Sequence, residues 1–140
     1  MQRTTLFLLA VVSASFLGAC SNEISGKLEA TGEKTFSMTP DACESGQRNG
    51  FFGVDLFVDG SRNQAIRVIE SPREGVSVIV DHPDGGRLTL EKANCKTLSG
   101  HVEAQNSTIN DIKNVMGNLE MDCEQQGLVI KADIHFENCH

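Results

Sequence analysis

A chain of 140 residues holds one domain's worth of core, and its nineteen acidic against twelve basic side chains give a formal charge of −7. That balance lacks the basic stripe that phosphate backbones require, and it argues against nucleic acid as a partner. Seven Phe with no Trp and no Tyr leave few aromatic platforms of the kind that bind sugars and bases.

In chain order, Met1 to Thr5 brings one positive side chain, Arg3, with no acid. Leu6 to Leu17, LFLLAVVSASFL, is an apolar run too short to cross a bilayer, which needs about 20 such residues. Small residues Gly18 and Ala19 follow, then Cys20. Charged, apolar and small segments in this order read as an export signal over residues 1–19, absent from the mature protein. Arg3 leaves with it, so one basic side chain fewer gives the remainder a charge of −8.

Leu17-Gly18-Ala19-Cys20 resembles the lipobox of bacterial lipoproteins. The resemblance implies that the Cys20 thiol is alkylated by a diacylglyceryl group, that the chain is cut after Ala19, and that the freed amine is acylated. A thiolate is the compact nucleophile such an alkylation needs. More than one acyl chain then gives stable anchoring, at about 0.8 kcal/mol per buried methylene. Ser21 stands where an aspartate would favour inner-membrane retention in enteric lipoproteins, which points to the outer membrane. The expected plan is a signal over 1–19, a lipidated tether over 20–23 and one domain over 24–140, in the bacterial cell envelope. Within that domain, CESGQRNGFFGVDLF and NSTINDI loosely resemble words in small lipoproteins of gliding and predatory delta-proteobacteria, a likeness that brings no catalytic residues with it.

From residue 24 onward the pattern is period two, with turn chemistry between runs. Ile24, Gly26, Leu28 and Ala30 alternate with polar residues, and Phe36 and Met38 continue after Thr31-Gly32. Pro40 to Asn49 reads as a polar loop carrying Cys43. Phe51 to Val58 is the most apolar run, placing Phe52, Val54, Leu56 and Val58 on one face. Asp59-Gly60-Ser61 turns into Ala65 to Glu70, then Val76, Val78 and Val80 precede DHPDGG and Leu88 and Leu90. Leu98 to Ala104 and Val115 to Cys123 read as strands joined across Asn106 to Asn114. Ile109, Ile112, Val115 and Met116 could start a short helix, but their β-branched, Asn-rich surroundings disfavour it. Leu128, Ile130, Ala132, Ile134 and Phe136 share the last apolar face. The expected fold is all-β, an antiparallel β-sandwich or partly open barrel with two disulfides.

With Cys20 consumed by lipid, Cys43, Cys95, Cys123 and Cys139 remain, an even set that in an exported chain reads as two bridges with three possible pairings. If Leu98 to Ala104 pairs antiparallel with Val115 to Cys123, Cys95 falls beside Cys123, and Cys43 is left for Cys139. No C-x-x-C unit supports a zinc site instead.

Three constellations could carry chemistry. His135, Glu137 and Cys139 alternate on the last strand, with His140 after them, so they could converge on a divalent metal, although a bridge would consume Cys139. Asp81-His82-Pro83-Asp84-Gly85-Gly86 groups two carboxylates and an imidazole, yet Pro-Asp-Gly between alternating runs is hairpin chemistry. Asp59, Ser61, Asn63 and Glu70 sit at positions one, three, five and twelve of a calcium loop, but Gln64 occupies the place of the obligatory glycine. His101 reads as a polar-face strand residue. No cofactor is expected beyond a possible divalent metal.

These features imply a non-enzymatic lipoprotein that presents loops such as Pro40 to Asn49 and Asn106 to Asn114, or a sheet edge, to an envelope protein or other envelope component. The rival reading is a small metal-dependent or hydrolytic enzyme using His135, Glu137 and His140. A third is a ligand carrier with a void between its sheets.

Overall fold

Period-two alternation becomes ten strands in the computed structural model, which describes residues 21–140. The signal and the lipobox Leu17–Cys20 lie outside the described residues. The strands are β1 (Glu23–Gly32), β2 (Phe36–Met38), β3 (Ala42–Ser45), β4 (Gly53–Val58), β5 (Ser61–Ser71), β6 (Gly75–Asp81), β7 (Arg87–Leu90), β8 (Cys95–Ile109), β9 (Ile112–Gln125) and β10 (Leu128–Cys139).

They form two open five-stranded sheets, ordered β2-β1-β10-β9-β8 and β3-β4-β5-β6-β7, with antiparallel neighbours throughout. The chain crosses between sheets twice, from β2 to β3 and from β7 to β8. The second sheet is a simple meander laid down in one visit. The first is begun by β1 and β2 and finished by the last three strands, so β1 and β10 pair along ten residues, Glu23 opposite Glu137 through Gly32 opposite Leu128.

Alternation decides which atoms leave water. On β10, Leu128, Ile130, Ala132, Ile134 and Phe136 are buried while Lys131, Asp133 and His135 are exposed. On β9, Val115, Gly117, Leu119, Met121 and Cys123 point inward. Val54, Leu56, Ile66, Val68, Val78, Val80, Leu88 and Leu90 meet them from the other sheet. Each fully buried Leu, Ile, Val or Phe contributes roughly 1.5–3 kcal/mol against conformational entropy. Gly117 makes room within this layer: it lies opposite Phe136 and Val102, and a Cβ there would strike the His101 carbonyl and come within 2.9 Å of the Phe136 ring.

Two disulfides join the anticipated pairs, Cys95–Cys123 expected from strand pairing and Cys43–Cys139 by elimination. Cys95 and Cys123 are directly opposite on β8 and β9, with Cα atoms 3.8 Å apart. Cys43 and Cys139, 5.1 Å apart at Cα, connect β3 to β10 and therefore one sheet to the other. Their sequence separations are 28 and 96 residues. In the chain-entropy account, closing loops of those sizes restricts the unfolded chain by about 3.5 and about 4.7 kcal/mol.

Three expectations need correcting. Asn106 to Asn114 is not a loop, and the helix start disfavoured over Ile109 to Met116 is strand: β8 runs on to Ile109 and β9 starts at Ile112, joined by Asn110-Asp111 at φ 50° and 64°. Both residues tolerate the left-handed region that a tight hairpin turn demands. Glu23, expected ahead of the domain, already belongs to β1, and the Asn22 amide donates to the Cys43 carbonyl at 3.1 Å. Pro40 to Asn49 contains β3 and a 3₁₀ turn over Gly46–Asn49.

Replacing Cys43 and Cys139 together by Ala should lower unfolding stability in urea by about 2–4 kcal/mol, more than the corresponding change at Cys95 and Cys123. Gly117→Ala should cost about 3 kcal/mol or more, because the new methyl drives into the His101 carbonyl of the neighbouring strand as well as the Phe136 ring, read as a lower denaturation midpoint at unchanged slope.

Candidate functional site

The two segments singled out as presenting loops meet at one end of the sandwich. Ser45 Oγ accepts from the Gln47 backbone at 3.4 Å and starts the 3₁₀ turn, which Gly50 closes at φ 80°. From this turn the Gln47 amide donates to the Asp111 carbonyl at 3.4 Å, and its Oε1 accepts the Lys113 N–H at 3.1 Å. The chain then passes Phe51 and Phe52. The Phe51 ring packs against Gly46 and Gly53, where a Cβ would displace it. Phe52 was expected inside with Val54, Leu56 and Val58. Val54 and Leu56 are core and Val58 is partly buried, but Phe52 is 50% exposed. It precedes β4 by one residue and stands at the mouth of the sandwich, where it shares an open concavity with Phe51, Ala104, Lys113 and Val115.

A buried ion pair fixes this end from behind. Asp55 is 2% exposed, and Arg67 reaches its two oxygens with Nε at 2.7 Å and Nη2 at 2.9 Å. Asn49, the last residue of the 3₁₀ turn, donates to Asp55 Oδ2 at 2.8 Å. The Phe51 ring lies 4.6 Å from the Arg67 guanidinium carbon, a cation–π contact. The Asp55 hydrogen bond holds the Arg67 guanidinium above its ordinary pKa, against the opposing effect of burial. Glu44–Arg62 and Asp81–Arg87 pair on either side. The small cleft of about 180 Å³ between them is lined by charges already engaged with one another. Sequence reasoning missed this cluster; its visible signal was a lone aspartate inside GVDLFV.

The residues proposed for metal are not assembled into a site. A bulge between Phe136 and Cys139, with Asn138 at φ 58°, breaks the alternation and turns Cys139 into the core and its disulfide. His135 stays on the exposed face opposite Ser25 and Asn118. Gln105 donates to Glu137 Oε1 at 3.4 Å, and His140 Nδ1 lies 3.4 Å from the Asn138 carbonyl. Among the described residues, no group of three or more His, Cys, Asp or Glu is placed to hold a metal ion.

The calcium-loop pattern is undone as well. Asp59 and Gly60 form a tight turn, and β5 starts at Ser61, carrying Glu70 nine residues away, about 30 Å in an extended strand. There Glu70 accepts the Val102 N–H at 2.7 Å and lies 3.6 Å from His101, which is exposed as expected. Asp81 to Gly86 is the hairpin turn anticipated, with His82 N–H bonded to the Gly86 carbonyl and Gly85 N–H to that of His82. The His82 ring packs edge-on against Phe36. For the carrier reading, the inner faces of both sheets pack against each other in one continuous core.

The end bearing Phe52 therefore offers the candidate surface, a concavity of about 340 Å³ lined mostly by apolar atoms of Phe51, Phe52, Ala104 and Val115, with Lys113 at its border. Arg67→Ala should destabilise the fold by about 2–3 kcal/mol, below the range for fully buried pairs because the guanidinium is partly exposed. A double-mutant cycle with Asp55→Ala should show strong coupling between the two positions.

Neither the scan against protein-family models nor the searches of curated proteins and solved structures finds a match to this chain.

Proposed function

We propose that this protein is a non-enzymatic lipoprotein of the bacterial cell envelope, held at the outer membrane through acylated Cys20 and presenting the Phe52 end of its β-sandwich as a binding module. The observation that carries the reading is positional. Ser21, the first described residue, adjoins Asn22, which is bonded to β3 beside the Cys43–Cys139 bridge, at the same end as the 3₁₀ turn, the β8–β9 hairpin and Phe52. A short tether and an apolar surface at one end suit a module that works close to its anchor.

Two further features support the compartment and the class. Disulfides such as Cys43–Cys139 and Cys95–Cys123 persist in oxidising spaces and are rare in the cytosol. The charged side chains that converge most closely, Asp55, Arg67, Glu44, Arg62, Asp81 and Arg87, are used in mutual pairs.

Mass spectrometry of protein isolated from its native host tests the anchor. The expected result is a mature chain starting at Cys20 with diacylglyceryl and N-acyl masses, and a Cys20→Ser variant that lacks them and leaves the membrane fraction. An unmodified N-terminus, or cleavage elsewhere, overturns the reading.

A further inference from the structure

We infer that the occupant of the Phe52 surface is the lipid bilayer itself, so that the sandwich stands on the membrane with the Phe52 ring immersed in the interface and Lys113 at headgroup level. The inference rests on acylation of Cys20 as proposed above and adds to it an orientation and a second contact.

Phe52 is the one large apolar side chain exposed among the described residues. It is displayed on a rigid mount. The Phe51 N–H bonds to the Gly46 carbonyl at 3.1 Å, the Phe52 carbonyl accepts the Glu70 N–H at 3.0 Å, and Phe51 is clamped over Arg67. Phe51 therefore faces the protein while its neighbour is held out to solvent.

The position of the chain start selects lipid over other occupants. One residue, Ser21, separates Asn22 from Cys20, a span of at most about 7 Å. Asn22 is itself fastened to Cys43, and Ser45, two residues further along β3, lines the Phe52 concavity. Acyl chains attached at Cys20 thus bring a bilayer to this end of the molecule before any other partner arrives. Contact by Phe52 is then intramolecular, and a single ring too weak to bind membranes alone can set orientation once the anchor supplies effective concentration. Lys113, exposed at the border of the concavity, can lay its stem along the apolar surface and place its ammonium among phosphates.

The absence of Trp and Tyr makes the test clean, because one introduced indole is the sole strong fluorophore. Acylated mature protein carrying Phe52→Trp is placed in phosphatidylethanolamine–phosphatidylglycerol vesicles with or without brominated acyl chains. Asp84→Trp serves as the control, at the opposite end where Asp84 pairs with Lys34. The expected result is at least twofold quenching and a blue-shifted emission for Phe52→Trp, with neither for Asp84→Trp. Lys113→Trp reads the same surface without altering Phe52 and should also be quenched.

Flotation with vesicles and the acyl mass report anchoring separately. Protein that floats but shows equal, weak quenching at both ends overturns the orientation while leaving the anchor standing. A blue-shifted but unquenched Phe52→Trp indole means that protein covers the ring, and it too overturns the inference. Failure to float with no acyl mass removes the anchor and the orientation with it.

Discussion

The Cys43–Cys139 bridge ties the two sheets together covalently, where the hydrogen bonds that cross between them come from side chains, such as Glu70 to Val102. Backbone ladders run only within sheets, and the covalent chain passes between sheets twice, from β2 to β3 and from β7 to β8. The bridge ties the strand laid down after the first crossing to the last strand of all, and its loop of 96 residues spans most of the described chain. Hydrophobic contact between inner faces is strong but has no direction, so it tolerates sliding of one sheet over the other. A covalent link between β3 and β10 fixes relative position at one end and leaves the core to fill in behind it. The Cys95–Cys123 bridge acts differently: it joins neighbours already paired in one sheet and secures β8, the edge strand, where that strand begins.

Around the inter-sheet bridge, polar groups do structural work that an apolar core cannot. Asp55 in β4 would be a severe liability were it unpaired, since burying a lone carboxylate costs far more than one hydrogen bond returns. Arg67 and Asn49 satisfy it, and because Asn49 belongs to the 3₁₀ turn and Arg67 underlies Phe51, the same pair orients the turn and the aromatic. Glu70 plays a comparable part across the opposite seam. It reaches from β5 in one sheet to the Val102 N–H on the edge strand β8 of the other, occupying a donor that could otherwise pair with a foreign strand.

How much of this was legible in the sequence follows from which interactions are local. Period-two alternation exposed the inner faces of β9 and β10 residue by residue, because a strand with one side in water cannot hide its parity. The Cys95–Cys123 pairing was readable because antiparallel neighbours bring the start of β8 beside the far end of β9, although a bulge before Thr97 shifts the register by one residue there. The failures fall where parity ends. Asn106 to Asn114 looked like a loop because the outer part of the β8–β9 hairpin projects past the core and has no apolar face to advertise itself. His135, Glu137 and Cys139 looked coplanar because the bulge at Asn138 leaves no mark in composition, yet one extra residue sends Cys139 inward. Phe52 shares the parity of Val54 and Leu56; the sequence does not show that it lies just before β4 begins, at the open end of the sandwich. The Asp55 cluster depends on four segments meeting, which no single window contains.

Long-range pairing also decides which charged groups lie near the Phe52 surface. A domain at −8 should be repelled by an anionic surface, but at physiological ionic strength the Debye length is about 8 Å, so a surface senses the groups nearest it rather than the sum. Pairing of β1 with β10 sets the chain start and the chain end side by side, Glu23 opposite Glu137, and β1 then runs about 30 Å to Gly32 at the far end. Glu33, Lys34 and Asp84 cluster there, beyond several screening lengths. At the near end Arg48 and Lys113 stand among Asp111, Glu23, Glu137 and Glu70, whose N–H bonds the Phe52 carbonyl. The strand order that places β10 between β1 and β9 thus brings the start of the domain to the Phe52 surface.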